Sequence, residues 1–131
     1  MKTTENKTTS ANGPAERAVQ ESRAVSLAIT GGTMSGIFVK HATRTAKDGG
    51  EYSGWIVEGS GVVEDRKSGK GVPAPAGRYF IFCASRLDRQ MREIERGEKI
   101  RIDYLGMERN EVAGPDGTFG KHHNYKVVYI D

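Results

Sequence analysis

The stretch that decides the fold begins Arg78-Tyr79-Phe80-Ile81-Phe82-Cys83, runs through Ser85-Arg86-Leu87-Asp88 to Met91, Ile94 and Gly97, and ends Lys99-Ile100-Arg101-Ile102-Asp103-Tyr104-Leu105. Its first part is apolar at nearly every position and rich in aromatic residues, which is the pattern of a buried strand. The apolar period then changes from two to 3.6. Leu87, Met91 and Ile94 fall at i, i+4 and i+7, on one stripe of a helix. Ser85 and Asp88 have the Ser-x-x-acid spacing of a helix start, and Gly97 supplies a stop, so the spacing predicts a helix over Ser85–Arg96. From Lys99 the alternation returns, with Ile100, Ile102 and Tyr104 on one face and Arg101 and Asp103 on the other.

Working outward, the same reading predicts four further elements. Met34 to Ala42 is rich in strand formers and ends at the turn-like Lys47-Asp48-Gly49-Gly50. Tyr52 to Val63 reads as a long strand whose Gly59 and Gly61 invite a bulge. Glu64 to Gly77, with Arg66, Lys67, Lys70, Pro73 and Pro75, reads as a loop, and Tyr125 to Ile130 as a last strand. The expected fold class is therefore mainly β: a five-stranded OB-fold-like barrel with one helix between strands three and four. The helix position favours this barrel over SH3-like alternatives.

Residues 1–32 read as a flexible N-terminal arm, with a short helix suggested by the Ala, Glu and Arg composition from Pro14 to Ala28, and residues 33–131 as the domain. The chain of 131 residues has a net charge of +3, 28% charged residues and a mean hydropathy of −0.59, typical of one small polar domain. Charge does not concentrate in either part: the arm holds four basic and three acidic residues, the remainder sixteen and fourteen. A polyanion-binding footprint must then come from local clustering. The lone Cys83 cannot form an internal disulfide, no stretch approaches the ~18 apolar residues of a membrane span, and no apolar leader follows Met1. The expected location is the cytoplasm, with no membrane partner.

Three loops carry cations: Arg44 and Lys47; Arg66, Lys67 and Lys70; and Arg109 and Lys121, the last beside Phe119, His122 and His123. Aromatic residues on strands between such loops can stack bases, each contributing about 1–3 kcal/mol. Trp55 and Tyr52, beside Ser53-Gly54, are the leading candidates, and Trp55 reads equally well as core. On the Tyr79–Phe82 strand one face is core and the other is free, but parity does not say which. The arginines Arg86, Arg89, Arg92 and Arg96 alternate with acids as a solvated helix face.

Enzymatic motifs are weak. His122 and His123 are adjacent and should point to opposite faces of a strand, and Gly69-Lys70-Gly71 lacks the remainder of a phosphate loop. Cys83 reads as an inert thiol, and Asp103 with Glu58 reads as ordinary strand carboxylates that only convergence in space could turn into a nuclease. No catalytic residue, metal ligand or cofactor is assigned, and the protein is expected not to be an enzyme.

Gly97 to Gly106, followed by Lys121-His122-His123-Asn124-Tyr125-Lys126-Val127, resembles the last two strands of small phage-encoded OB-fold single-stranded DNA-binding proteins. With the preceding helix the likeness covers about the last fifty residues. It implies coating and protection of single-stranded DNA during phage DNA replication and recombination, through stacking and phosphate contacts without sequence readout. It also implies a host-cytoplasmic location and partnership with replication or recombination proteins. RNA is the alternative strand, and an open barrel with free edges suits a homodimer. Relatives that recruit partners do so through an acidic C-terminal tail, whereas here Ile130-Asp131 directly follows a strand. The rival reading is a small β-barrel protein-interaction module, such as a viral inhibitor or assembly factor.

Overall fold

A computed structural model describes residues 22–130. They form one six-stranded sheet and one helix: β1 (Arg23–Val25), β2 (Thr33–Thr45), β3 (Glu51–Asp65), β4 (Lys70–Phe82), α1 (Ser85–Met91), β5 (Lys99–Arg109) and β6 (Lys121–Tyr129). Strand order across the sheet is β1-β4-β3-β2-β5-β6, antiparallel throughout except where β1 runs parallel to β4. The sheet curls into a half-barrel.

The mainly β class agrees with the sequence reading, but there are six strands instead of five, and the helix follows the fourth strand instead of the third. Both differences come from β1, which lies in the expected N-terminal arm. Arg23–Val25 is a strand where a helix was expected, and Val25 and Leu27 are fully buried in the core. The alternation Val25, Leu27, Ile29 is the strand signal that the helix-forming composition obscured. The remainder of the expected arm and helix, up to residue 21, lies outside the described residues.

A second correction concerns Glu64 to Gly77. It is not a loop but a tight hairpin with β4 already running from Lys70. Asp65 organises the turn by accepting from the Lys67 N–H and the Ser68 hydroxyl, and Gly69 takes φ +68°. Pro73 and Pro75 are tolerated because the β1 pairing covers only Tyr79–Ile81, so among the described residues no strand pairs with the outer edge of the start of β4, where missing N–H groups cost little. The register shift falls between Gly59 and Gly61, where the glycines suggested it. At Gly59 a Cβ would lie 1.9 Å from the Ser35 carbonyl oxygen, so glycine is what lets β2 and β3 approach there.

The inner face of the curl holds the core: Met34, Phe38, Trp55, Val57, Val63, Tyr79, Ile81, Ile100, Ile102 and Tyr125, with Leu87 and Met91 of α1 packed onto it. The helix is shorter than Ser85–Arg96: it buries Leu87 and Met91 of the expected stripe, while Ile94 lies beyond its end and is partly buried against the core. Its cap is Ala84, and Asp88, not Ser85, serves the start by accepting from the Ala84 N–H at 3.2 Å. Gly97 at φ +89° ends the turns that follow.

Gln90 joins α1 to the outermost strand. Its Nε2 donates to the Tyr125 carbonyl at 2.7 Å and its Oε1 accepts from the Val127 N–H at 2.8 Å. One side-chain amide thus takes the two backbone groups that a neighbouring strand would otherwise use.

Candidate nucleic-acid interface

Register decides which side chains of β2, β3 and β4 share a face. Arg44 pairs with Tyr52, Gly54 with Phe82 and Ile56 with Phe80, and the last two pairs alternate with the core residues Trp55, Val57, Tyr79 and Ile81. Tyr79 and Ile81 are therefore the core face of β4, and Phe80 and Phe82 belong to the opposite, outer face. There Tyr52, Phe80 and Phe82 form a second aromatic cluster, with ring centroids 5.6–5.8 Å apart and the Phe80 ring edge-on to both others. Such spacings fit favourable aromatic geometry. Phe80 is fully buried, whereas Tyr52 and Phe82 remain partly open to solvent.

Two arginines cover the cluster in different ways. Arg44 lies 4.3 Å from the Phe80 ring centroid, and its Nη2 donates to the Ser22 carbonyl at 2.6 Å and to the Ser22 hydroxyl. It is held between the Phe80 ring and Ser22. Arg66 reaches the Phe82 ring at 5.7 Å, near the outer limit of a cation–π contact, and is otherwise exposed. Arg66 arrives there because the β3–β4 hairpin curls back onto β1, where the Glu64 N–H donates to the Ser26 carbonyl at 2.9 Å. Ala24, Tyr52, Arg66 and Phe82 line an open pocket of about 430 Å³. Beside it, Arg23, Glu64, Asp65, Arg66 and Lys67 line a smaller depression of about 210 Å³.

Of the residues expected to bind, Tyr52, Arg44 and Arg66 come together in this cluster. Lys47 lies in the β2–β3 turn next to it, and Lys67 and Lys70 lie at the hairpin tip. Trp55 does not join them. It pairs with His41 and Ile81, faces the core at 7% exposure, and donates its indole N–H to Asp88 Oδ1 at 2.7 Å. Its polar atom is satisfied inside the fold, which leaves no free ring face for a base.

Lys121 sits three strands from β3, on the arm formed by the distal halves of β5 and β6. It pairs there with Arg109, whose guanidinium lies 4.6 Å from the Phe119 ring. Met107, Leu105, Val112 and Phe119 give this arm exposed apolar surface.

The residues that sequence reasoning missed are Ser22 and Ala24, assigned to the arm, and Phe80 with Phe82, whose face parity left open.

Several other titratable groups have local partners. His122 Nδ1 bonds Asn110 Oδ1 at 2.7 Å and its Nε2 lies 3.7 Å from Glu108, while His123 Nδ1 bonds the Tyr104 hydroxyl at 2.8 Å, so the two histidines face opposite ways. Glu58 pairs with Arg78 at 3.5 Å and Asp103 with Arg101 at 3.0 Å. Their partners on β2, Ile37 and Thr33, are four residues apart, so these carboxylates do not converge. Burial, reinforced by Asp88, pushes the Cys83 thiol up to about 12. Among the described residues no three His, Cys, Asp or Glu side chains gather as a metal site would require, and no helix is long and apolar enough to cross a membrane. No protein-family model matches the chain, and no curated protein is significantly similar to it.

Proposed function

We propose that this protein is a non-enzymatic single-stranded DNA-binding protein of OB type, which holds the strand across the outer face of β3 and β4. The observation that carries this reading is the aromatic cluster of Tyr52, Phe80 and Phe82 on the face away from the core, with Arg44 and Arg66 laid on it. A partly open aromatic surface edged by cations is suited to bases and phosphates together, and sequence-tolerant stacking needs no hydrogen-bond readout. Connectivity supports the barrel type. Apart from β1, β2 lies between β3 and β5, β4 flanks β3, β6 flanks β5, and the helix joins β4 to β5, as in a Greek-key OB barrel. The likeness of the last two strands to phage single-stranded DNA-binding proteins points the same way, toward coating and protecting strands in replication or recombination.

The protein-interaction reading is favoured by one observation, the exposed Leu105, Met107, Val112 and Phe119 on the β5–β6 arm. The deciding experiment is fluorescence polarisation of a labelled thirty-nucleotide dT strand titrated with the full chain at several salt concentrations. Expected is saturable binding with a log–log salt slope of about −3, as about four cations displacing counterions give on a single strand. Tyr52→Ala should weaken binding about tenfold. Absence of binding by a folded chain would overturn the proposal and favour a protein partner.

A further inference from the structure

The pocket between β1 and the aromatic face has features that coating alone does not require. Its volume, about 430 Å³, is at the lower end of the roughly 300–1,000 Å³ of small-molecule sites. Two of its walls are the rings of Tyr52 and Phe82, with centroids 5.8 Å apart and planes inclined at 44°. That spacing is too close to sandwich a planar ring between them, but together they form a V against which one ring can pack. Arg66 edges the open pocket through its 5.7 Å contact with Phe82, a contact with little to hold it. The adjoining depression shares Ala24 and Arg66 with the pocket and adds Arg23 and Lys67. The aromatic recess thus opens onto the cations Arg66 and Lys67, and Glu64 and Asp65 are the acids among the described residues that line the depression.

We infer that this pocket takes one unstacked nucleotide: its base lies on Phe82 and Tyr52 in the place of the Arg66 guanidinium, and its phosphate pairs with the displaced Arg66 together with Lys67. The inference rests on the proposed function and names the unit that the same face receives. Arg44 and Arg66 have separate tasks in it. Arg44, fixed by Ser22 and stacked on Phe80, is a floor that does not move, whereas Arg66 exchanges a weak ring contact for a charge-assisted pair with phosphate. β1 is integral to the site, since Ala24 lines the recess and Arg23 edges the depression. A nucleobase and a phosphate must be joined at nucleotide spacing to satisfy both parts, so neither alone is a sufficient ligand.

The test compares deoxyadenosine monophosphate, deoxyadenosine and inorganic phosphate as ligands of the full chain, followed by NMR at the Ala24 methyl and the Tyr52 and Phe82 rings. The thirty-nucleotide strand is measured in parallel. The monophosphate should shift all three residues, and each half-ligand should bind at least about tenfold more weakly. Arg66→Gln, at an exposed turn position that leaves the fold intact, should abolish the monophosphate shifts and weaken the long strand about tenfold. If the strand binds but the monophosphate leaves these residues unmoved, or if phosphate alone binds as well as the nucleotide, the pocket inference is overturned and the face reading stands. If neither ligand binds, both fall. Retention of the monophosphate shifts in Arg66→Gln would remove Arg66 from the site and overturn the exchange.

Discussion

Replacing Gln90 by Ala tests how the open side of the half-barrel is held. The change removes both hydrogen bonds between α1 and the β6 backbone, at 2.7 and 2.8 Å, and leaves the Tyr125 carbonyl and Val127 N–H without partners at a half-buried edge. A net hydrogen bond contributes about 1 kcal/mol, and a stranded backbone group adds part of a further 1–3 kcal/mol where water reaches it poorly. Together these give a loss of about 2–3 kcal/mol, or about 8–12 °C in Tm at about 4 °C per kcal/mol for a domain of this size. Urea denaturation of the two proteins measures it. Gln90→Glu separates the two bonds: as a carboxylate the new side chain still accepts from Val127 but faces the Tyr125 carbonyl with a second acceptor. Protonation restores a donor there, so this variant should recover stability relative to the parent as pH falls through the carboxyl range. The exposed edge should also promote self-association of Gln90→Ala, seen as concentration-dependent sedimentation. A loss below about 0.5 kcal/mol, or a Gln90→Glu variant indifferent to pH, would refute the idea that this amide substitutes for a neighbouring strand.

Two further outcomes follow from the packing. In Gly54→Ala the new methyl would stand 2.4 Å from Phe80 Cε1 and 2.7 Å from the Ile81 carbonyl oxygen, so the Phe80 ring must move; expected are a loss of about 1–3 kcal/mol in denaturant titration and weaker strand binding, and unchanged stability would refute it. Cys83, pushed up to about 12 from an ordinary 9.0 chiefly by burial, should be alkylated by iodoacetamide at pH 8 about a thousandfold more slowly than a free thiol, with a rate still climbing at pH 10; a rate equal to that of a free thiol would refute the burial account.

The elements that were legible in sequence are those whose apolar period is clean. Leu87 and Met91 located α1, Ile100 and Ile102 located the core face of β5, and the glycines at 59 and 61 marked the register shift. Parity on β4 was not legible, because Tyr79 to Phe82 is apolar on both faces. Only the pairing of Ile56 with Phe80, and of Gly54 with Phe82, separates core from surface. Trp55 was ambiguous for a related reason. Its small neighbours Ser53 and Gly54 suggested an open surface, but that space is occupied from the outer side by the Phe80 ring, while the indole itself turns inward to Asp88. The arm failed differently, since three residues of strand amid helix-forming composition have too short a pattern to outweigh local propensity until β4 and Glu64 supply the pairing.

That small strand links stability to the candidate site. Val25 and Leu27 bury their side chains in the main core, while Ser22 and Ala24, alternating with them, face the aromatic cluster: Ser22 fixes Arg44 and Ala24 lines the recess. One extended segment therefore anchors inward and builds outward, as the two-residue period of a strand requires. It also receives the curled hairpin through the Glu64 to Ser26 bond, and this is what brings Arg66 over Phe82, sixteen residues further along the chain. Without β1 the five long strands would still offer an aromatic face, but Arg44 would lose its tether and the hairpin tip its seat. The face could then stack bases along a strand, whereas the open recess edged by Arg66 and Lys67 exists only because an N-terminal segment pairs with the edge of β4.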